Sequence, residues 1–383
     1  MRRDQFPTSH QHPRVERATQ SCRQWSTTGT LCGPGTDEQL VVAGPTVELR
    51  GPPMSSAEHS QWTMAQDQSG RVAVVTGSNT GIGLEVARAL ATRHATVVLA
   101  CRNRDRAEAA REDILASAPN SNVVVAQLDT SSLAAVAECA QMLRQRWPVI
   151  DLLINNAGVM AREHTYTVDG FETDFGTNFL GHFALTGGLI DSLIAAPAGR
   201  IVTVSSITHR RRDAGLDFND LAYERGFDPK VAYARSKMAS MTFMVELQRR
   251  LSAAGAPTLS LAAHPGGVRT GILQQQNRLV QLVYHPRLTG LTGWFTQSPA
   301  EGAQPILRAA LDTEARGADF FGPGGRWELI GKPVPVAISR RAKDPATAAR
   351  LWTAAEELTG VRFLDHPQSP GTDTDSGRTG LER

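Results

Sequence analysis

The chain has 383 residues, with 40 lysines and arginines against 38 aspartates and glutamates and a formal net charge of +2. So even a balance makes no long-range field, which argues against nucleic acid or an anionic membrane as the main partner. Hydrophobic residues at 41% and charged residues at 20% are the proportions of an ordinary globular protein with a sizeable core. No apolar run approaches the ~18 residues that span a bilayer.

Residues 1–68 read as a disordered N-terminal extension. They are rich in Ser, Thr, Gln, Gly and Pro, and no apolar periodicity outlasts Leu40-Val41-Val42-Ala43, too little buried surface to offset the entropy of ordering. Arg2, Arg3, Arg14 and Arg17 lack an apolar stretch between them, which excludes a secretory signal. A dispensable extension and a mitochondrial transit peptide both stay open, with Met54 and Met64 as alternative starts; the prolines, Asp4 and Glu16 weigh against the transit peptide.

From Arg71 short β-branched runs alternate with amphipathic stretches. Strands are expected at 72–76, 96–101, 123–127, 150–154, 200–205 and 258–263, and helices at 82–92, 104–117 and 133–146. This alternation predicts an α/β fold, a doubly wound parallel sheet of Rossmann type, in a single domain over 69–363. Ser298-Pro299-Ala300-Glu301 has the form of a capping box with proline at the first helical position. Asp344 and Pro345 open a last helix that Gly360 can close. Residues 364–383 return to a loose, flexible composition. Cys22, Cys32, Cys101 and Cys139 lack metal-type spacing and read as the reduced thiols of a cytoplasmic protein.

The first strand runs into Thr76-Gly77-Ser78-Asn79-Thr80-Gly81-Ile82-Gly83. Between a strand and a helix, such glycines allow a sharp turn, approach of backbone N–H groups to a pyrophosphate, and close helix packing. Alone the cluster is equally an ordinary turn; its place in the chain points to a dinucleotide. After the second strand, where a carboxylate suits a ribose 2′-hydroxyl, the chain has Arg102 and Arg104. A guanidinium pairs with a 2′-phosphate that a carboxylate would repel, so Arg102 is the expected ligand and NADP(H) the expected cofactor. The alternative is that both arginines solvate a helix start. Tyr233 and Lys237 lie four apart on one helix face, where a cation favours the phenolate.

Together with Asn155-Asn156-Ala157-Gly158, Thr177-Asn178-Phe179-Leu180-Gly181-His182-Phe183 and Ser205-Ser206, these motifs resemble the classical short-chain dehydrogenase/reductase family over residues 70–360. Ala100-Cys101-Arg102 and the inserted stretch from Thr208 to Leu221, which sets Ser206 and Tyr233 27 positions apart, are similar to its retinol-dehydrogenase-like and protochlorophyllide-reductase-like branch. The resemblance implies a carbonyl–alcohol oxidoreductase with Tyr233 as acid/base. It further implies Ser206 on the substrate oxygen, with Ser205 as fallback, Lys237 on the ribose, and Asn178 holding a water. Asn156, Ala157 and Gly158 would line the cofactor, Asp129 would meet the adenine, and Pro265, Gly266, Val268 and Thr270 would fix the nicotinamide. Where relatives often carry histidine the chain has Phe179. His264 is expected to be a structural loop residue. The run from His209 to Arg212 reads as a solvated loop rather than a basic binding patch.

A small helical substrate lobe is expected at about 270–298, rich in Leu, Val and aromatics. It serves either as a pocket for a lipophilic carbonyl compound or as plain packing. A small-molecule substrate is the expected partner. The competing reading is an NADP(H)-binding sensor that kept the fold and lost catalysis, and a light-driven pigment reductase is a more remote one.

Overall fold

In the computed structural model the described residues are 67–268 and 296–364. The extension up to residue 66, most of the expected lobe with Thr270, and the tail from residue 365 lie outside them.

Runs of Val, Leu, Ile and Ala make the six expected strands: β1 (Val72–Thr76), β2 (Thr96–Cys101), β3 (Asn122–Gln127), β4 (Leu152–Asn155), β5 (Arg200–Val204) and β6 (Leu259–Ala263). Between them lie α1 (Gly81–Ala91), α2 (Arg104–Ser117) and α3 (Leu133–Arg146). A three-residue α4 (Thr173–Phe175) continues through a π-helical turn at Gly176–Leu180 into α5 (Gly181–Ile194), and α6 (Pro229–Ala253) precedes β6. The chain then adds α7 (Pro299–Leu311), two short strands that the pattern does not predict, β7 (Phe320–Pro323) and β8 (Pro333–Pro335), and α8 (Pro345–Thr359).

The strand order is β3-β2-β1-β4-β5-β6-β7-β8, parallel throughout except β8, which pairs antiparallel at the edge. Both faces of the sheet are covered, and strand alternation divides the core accordingly. Val74, Val98, Leu153 and Ile201 face one cluster with Leu143, Phe183, Phe243 and Trp352, from α3, α5, α6 and α8. Ala73, Val75, Leu99, Ile154 and Val202 face the other with Val86, Ala107 and Ile306, from α1, α2 and α7.

The ends of the last two helices follow their sequence signals. Ser298 Oγ accepts from the Glu301 N–H and Glu301 Oε2 accepts from the Ser298 N–H, the reciprocal capping box. Asp344 caps α8, which Gly360 ends with a φ of +70°. The strand order reverses between β1 and β4, so a crevice opens beyond their carboxyl ends, where ligands of open α/β sheets bind.

Candidate active site

The glycine turn fills one side of that crevice. Gly77 has a φ of +64°, and a Cβ there would lie 2.9 Å from Ala157 Cα. A Cβ on Gly83 would lie 2.5 Å from Asn156 Nδ2 and 2.6 Å from the Gly77 carbonyl oxygen. Only glycine permits this approach of the β1 turn to the β4 turn. Ser78 Oγ donates to the Val75 carbonyl at 2.8 Å, closing the turn from within. At the entry to α1, Thr80 makes no side-chain cap and no acid stands in the first turn. The helix therefore presents its N–H groups and positive end to an anion.

Thr76 ties the two turns together. Its Oγ1 accepts from the backbone N–H groups of Asn156 and Ala157, both at 2.9 Å, and lies 3.0 Å from His182 Nε2. His182 Nδ1 lies 3.0 Å from the Asn178 carbonyl, which assigns the proton to Nδ1 and lets Nε2 accept from Thr76. Burial pushes His182 down to about 4, so the ring is neutral.

Around the rim, Arg102 is exposed after β2 and forms no hydrogen bond or ion pair among the described residues. Arg104 stands 4.0 Å from Glu108, and Asn103 caps α2 through the Arg106 N–H. Asp129 spends Oδ1 on the Ser131 N–H and hydroxyl, which makes it a turn aspartate with its second oxygen uncommitted to that turn. A glycine cradle, an uncapped helix start and a free guanidinium suit a phosphorylated dinucleotide.

Across the crevice, Ser205 and Ser206 point in different directions. Ser205 is buried and donates to the Lys237 backbone carbonyl at 3.2 Å. Ser206 is half-buried, opens the turn 207–210 and accepts from the Thr208 N–H, and its hydroxyl acts on the Tyr233 phenol in favour of the phenolate. Lys237 Nζ donates to the Val204 carbonyl at 2.9 Å, lies 3.5 Å from where a Cβ of Gly158 would be, and is 5.7 Å from the Tyr233 ring centre.

One expectation needs correction here. Spacing predicts that Lys237 brings the phenol down, but burial and then the charge of Asp174 push Tyr233 up, with Ser206 drawing it the other way. Burial likewise brings Lys237 down to about 8, Asp174 opposing. Desolvation is the largest effect on both groups. The side chain of Asn178, the residue expected to hold a water, makes three hydrogen bonds within the protein. Its Oδ1 accepts from the Val159 N–H at 2.7 Å, and Nδ2 donates to the Val159 carbonyl and to Ser236 Oγ, both at 2.9 Å. Its backbone carbonyl takes His182 and Ser240.

After β6, Gly266 has a φ of +72°, and a Cβ there would lie 2.4 Å from the Leu329 carbonyl oxygen. Val268 is buried and pairs with Gln297, whose Nε2 donates to the Pro265 carbonyl. His264 is fully occupied: Nε2 meets Glu328 Oε2 at 3.0 Å and Nδ1 accepts from the Gly266 N–H. Glu328 also takes Arg210 at 2.9 Å; although burial opposes it, these partners hold the carboxyl at about 2. From the run expected to be a solvated loop, His209 is instead buried, with Nδ1 donating to the Ser206 carbonyl at 2.6 Å.

Sequence reasoning passes over Thr76, His182, Glu328 and Asp174. A pair of acids between two phenylalanines, Phe171-Glu172-Thr173-Asp174-Phe175, with Asp174 four residues before Asn178, was the available signal for the last.

Residues 71–280 match the family of short chain dehydrogenases. Human retinol dehydrogenase 12 is 37% identical over 299 residues, covering 77% of this chain and 88% of that protein. Human retinol dehydrogenase 13 is 36% identical over 332 residues, covering 86% and 95%. Among solved structures, an uncharacterized protein from Mycobacterium paratuberculosis superposes with a TM-score of 0.64 at 39% identity, covering 79% of this chain and 98% of that one. The fold and the crevice thus define an oxidoreductase of alcohol and carbonyl groups that uses a nicotinamide cofactor. The chain belongs to the short-chain dehydrogenase family and resembles its retinol-dehydrogenase branch.

Proposed function

We propose that this protein is an NADP(H)-dependent carbonyl–alcohol oxidoreductase acting on a lipophilic small molecule in the cytoplasm, with Tyr233 as its acid/base. The observation that carries the reading is the convergence of Ser206, just beyond the end of β5, with Tyr233 and Lys237 in the first turns of α6, opposite the glycine turn. The lipophilic substrate rests on the leucines, valines and aromatics of 270–298 and on the similarity to retinol dehydrogenases.

A bound nicotinamide supplies or accepts the hydride. In the reductive direction Tyr233 gives its proton to the substrate oxygen, and Ser206 donates a hydrogen bond to the same oxygen as it gains charge. Lys237 holds the ribose with the N–H groups that Val204 does not use. The rim arginine, Arg102, meets the 2′-phosphate. The high resting affinity of Tyr233 for its proton suits a group that must arrive protonated, and Ser206 eases its release.

The test is Tyr233→Phe, which keeps the ring and removes the proton. With NADPH and a panel of lipophilic aldehydes and ketones, kcat should fall by ~10²-fold or more while NADPH affinity stays within a factor of a few. A variant retaining more than about a tenth of wild-type kcat on a chemically limited step puts the proton on another residue. A wild type that binds NADPH but turns over none of the panel favours a sensor on the same fold.

A further inference from the structure

We propose that Asp174 is a positioning residue of the hydride-transfer site: its buried carboxyl, anchored on the loop that Lys237 also meets, sets the charge that Lys237 and Tyr233 carry. This rests on the oxidoreductase reading above and adds to it a group that none of the recognised motifs contains.

The placement comes from the backbone. Asp174 and Asn178 stand four residues apart and hold the same loop, the one leaving β4. Asn178 takes both backbone groups of Val159, and Asp174 Oδ1 accepts from the Ala161 N–H at 2.8 Å. Gly158, at the head of that loop, is the residue over which Lys237 Nζ sits. Asp174 is fully buried, and Oδ2 has no hydrogen-bond partner among the described residues.

A buried carboxylate oxygen without a donor is costly, and a buried ammonium with a single carbonyl partner is costly too. Both groups meet the loop that leaves β4, Asp174 at Ala161 and Lys237 at Gly158, and the two costs are reduced where the charges act on one another. Asp174 acts electrostatically on Lys237, stabilising its ammonium, and on Tyr233, opposing the phenolate.

The other charges around Asp174 do not replace this coupling. Glu172, two residues before it, spends its oxygens on the Asp174 and Phe175 N–H groups and repels Asp174. His164 acts on Glu172. From the neighbouring segment, Asp217 and Asp220 both pair with Arg225. On α6, Arg235 lies over the Tyr223 ring at 4.0 Å. His182 of α5 is neutral, and the turn at Gly176–Leu180 contributes no titratable side chain. Burial, then Glu172, push Asp174 up to about 8, against the pull of Ala161 and Lys237. With Lys237 also brought to about 8, the carboxyl and the ammonium exchange protons over one narrow range.

The experiment reads the lysine directly. The chain has four lysines, Lys230, Lys237, Lys332 and Lys343, so ε-¹³C-lysine NMR of the full chain gives few signals, and Lys237→Met assigns the one that matters. Asp174→Asn keeps an oxygen for the Ala161 N–H and removes only the charge. The Lys237 midpoint should fall by about half a pH unit or more in Asp174→Asn, and the alkaline limb of the pH–rate profile should fall with it. An unmoved midpoint overturns the proposal, as does a moved midpoint with an unmoved limb. The wild type supplies a second reading that needs no variant. The Asp174 carboxyl carbon should titrate together with Lys237, and a midpoint in the ordinary aspartate range overturns the proposal as well. Failure of the oxidoreductase reading looks different: no carbonyl compound is reduced, while the two titrations still decide whether the carboxyl and the ammonium are coupled.

Discussion

Arg102 shows how much a single side chain decides. It is exposed at the end of β2 with no partner among the described residues, so it makes no structural bond that its removal would break. Arg102→Ala should therefore leave the melting temperature within a degree or two. It should weaken NADPH about tenfold or more and NADH hardly at all, because only the former offers a phosphate to a guanidinium. Fluorescence titration with both cofactors checks this, and equal losses would assign Arg102 a general role. Tyr233 and Lys237 were legible as a pair because a four-residue spacing is a statement about one helix face. Asp174 was not, because its relation to them crosses from one helix to another, and no spacing within a single helix expresses that. Ser205 and Ser206 could not be separated for a related reason. Adjacent residues on a strand point to opposite sides, but the strand ends at Val204 and the turn that follows settles where each hydroxyl goes.

At the scale of elements, the turn from Gly325 to Leu329 clasps two strand-end loops. Trp327 and Glu328 both have positive φ, +55° and +57°, a conformation that costs roughly 1–2 kcal/mol per residue. The turn persists because Glu328 takes Arg210 from the loop after β5 and His264 from the end of β6, and Leu329 accepts from the Gly267 N–H. Glu328→Ala leaves Arg210 with the Ala337 carbonyl and His264 with the Gly266 N–H, and should cost ~1–3 kcal/mol of stability. It should also lower kcat, since the Ser206 loop and the Pro265–Val268 loop lose their common anchor. Thermal melts and steady-state rates test this together; a variant with wild-type values for both means the loops hold their places without the clasp. Most of the elements, unlike this one, were readable beforehand. Buried parallel strands are continuous apolar runs of five or six residues, and α7 and α8 carry their caps in the sequence. β7 and β8 were not readable, since Phe-Phe-Gly-Pro and Pro-Val-Pro are too short and too rich in proline and glycine to signal strands. Proline is tolerated in β8 because that strand lies at the edge of the sheet.

Over the whole molecule, groups whose charge is suppressed by burial make stability depend on pH in two opposed ways. His182 and His209 are both pushed down to about 4 by burial, against ~6.5 in an unfolded chain. Between those values the unfolded state binds more protons, so stability is full above ~6.5 and is lost as pH falls toward 4, by on the order of 3 kcal/mol for each ring. Asp174 acts in the other direction. Its folded value of about 8 lies above that of an unfolded aspartate, so the folded state holds the extra proton, and stability rises as pH falls from 8 toward 4. The wild type therefore gains stability from pH 8 to ~6.5 and loses it again toward pH 5, where two rings oppose one carboxyl, so its values at the two ends lie close together. Asp174→Asn removes the compensation and should lose more melting temperature over that interval than the wild type does. His209→Gln removes one of the two opposing groups and should lose less, even though its melting temperature at pH 8 is itself reduced by the lost bond to the Ser206 carbonyl. The comparison is between slopes, so the constant cost of each substitution cancels. If both variants track the wild type in parallel from pH 8 to pH 5, these groups titrate alike in the folded and unfolded chains, and burial does not govern their charge.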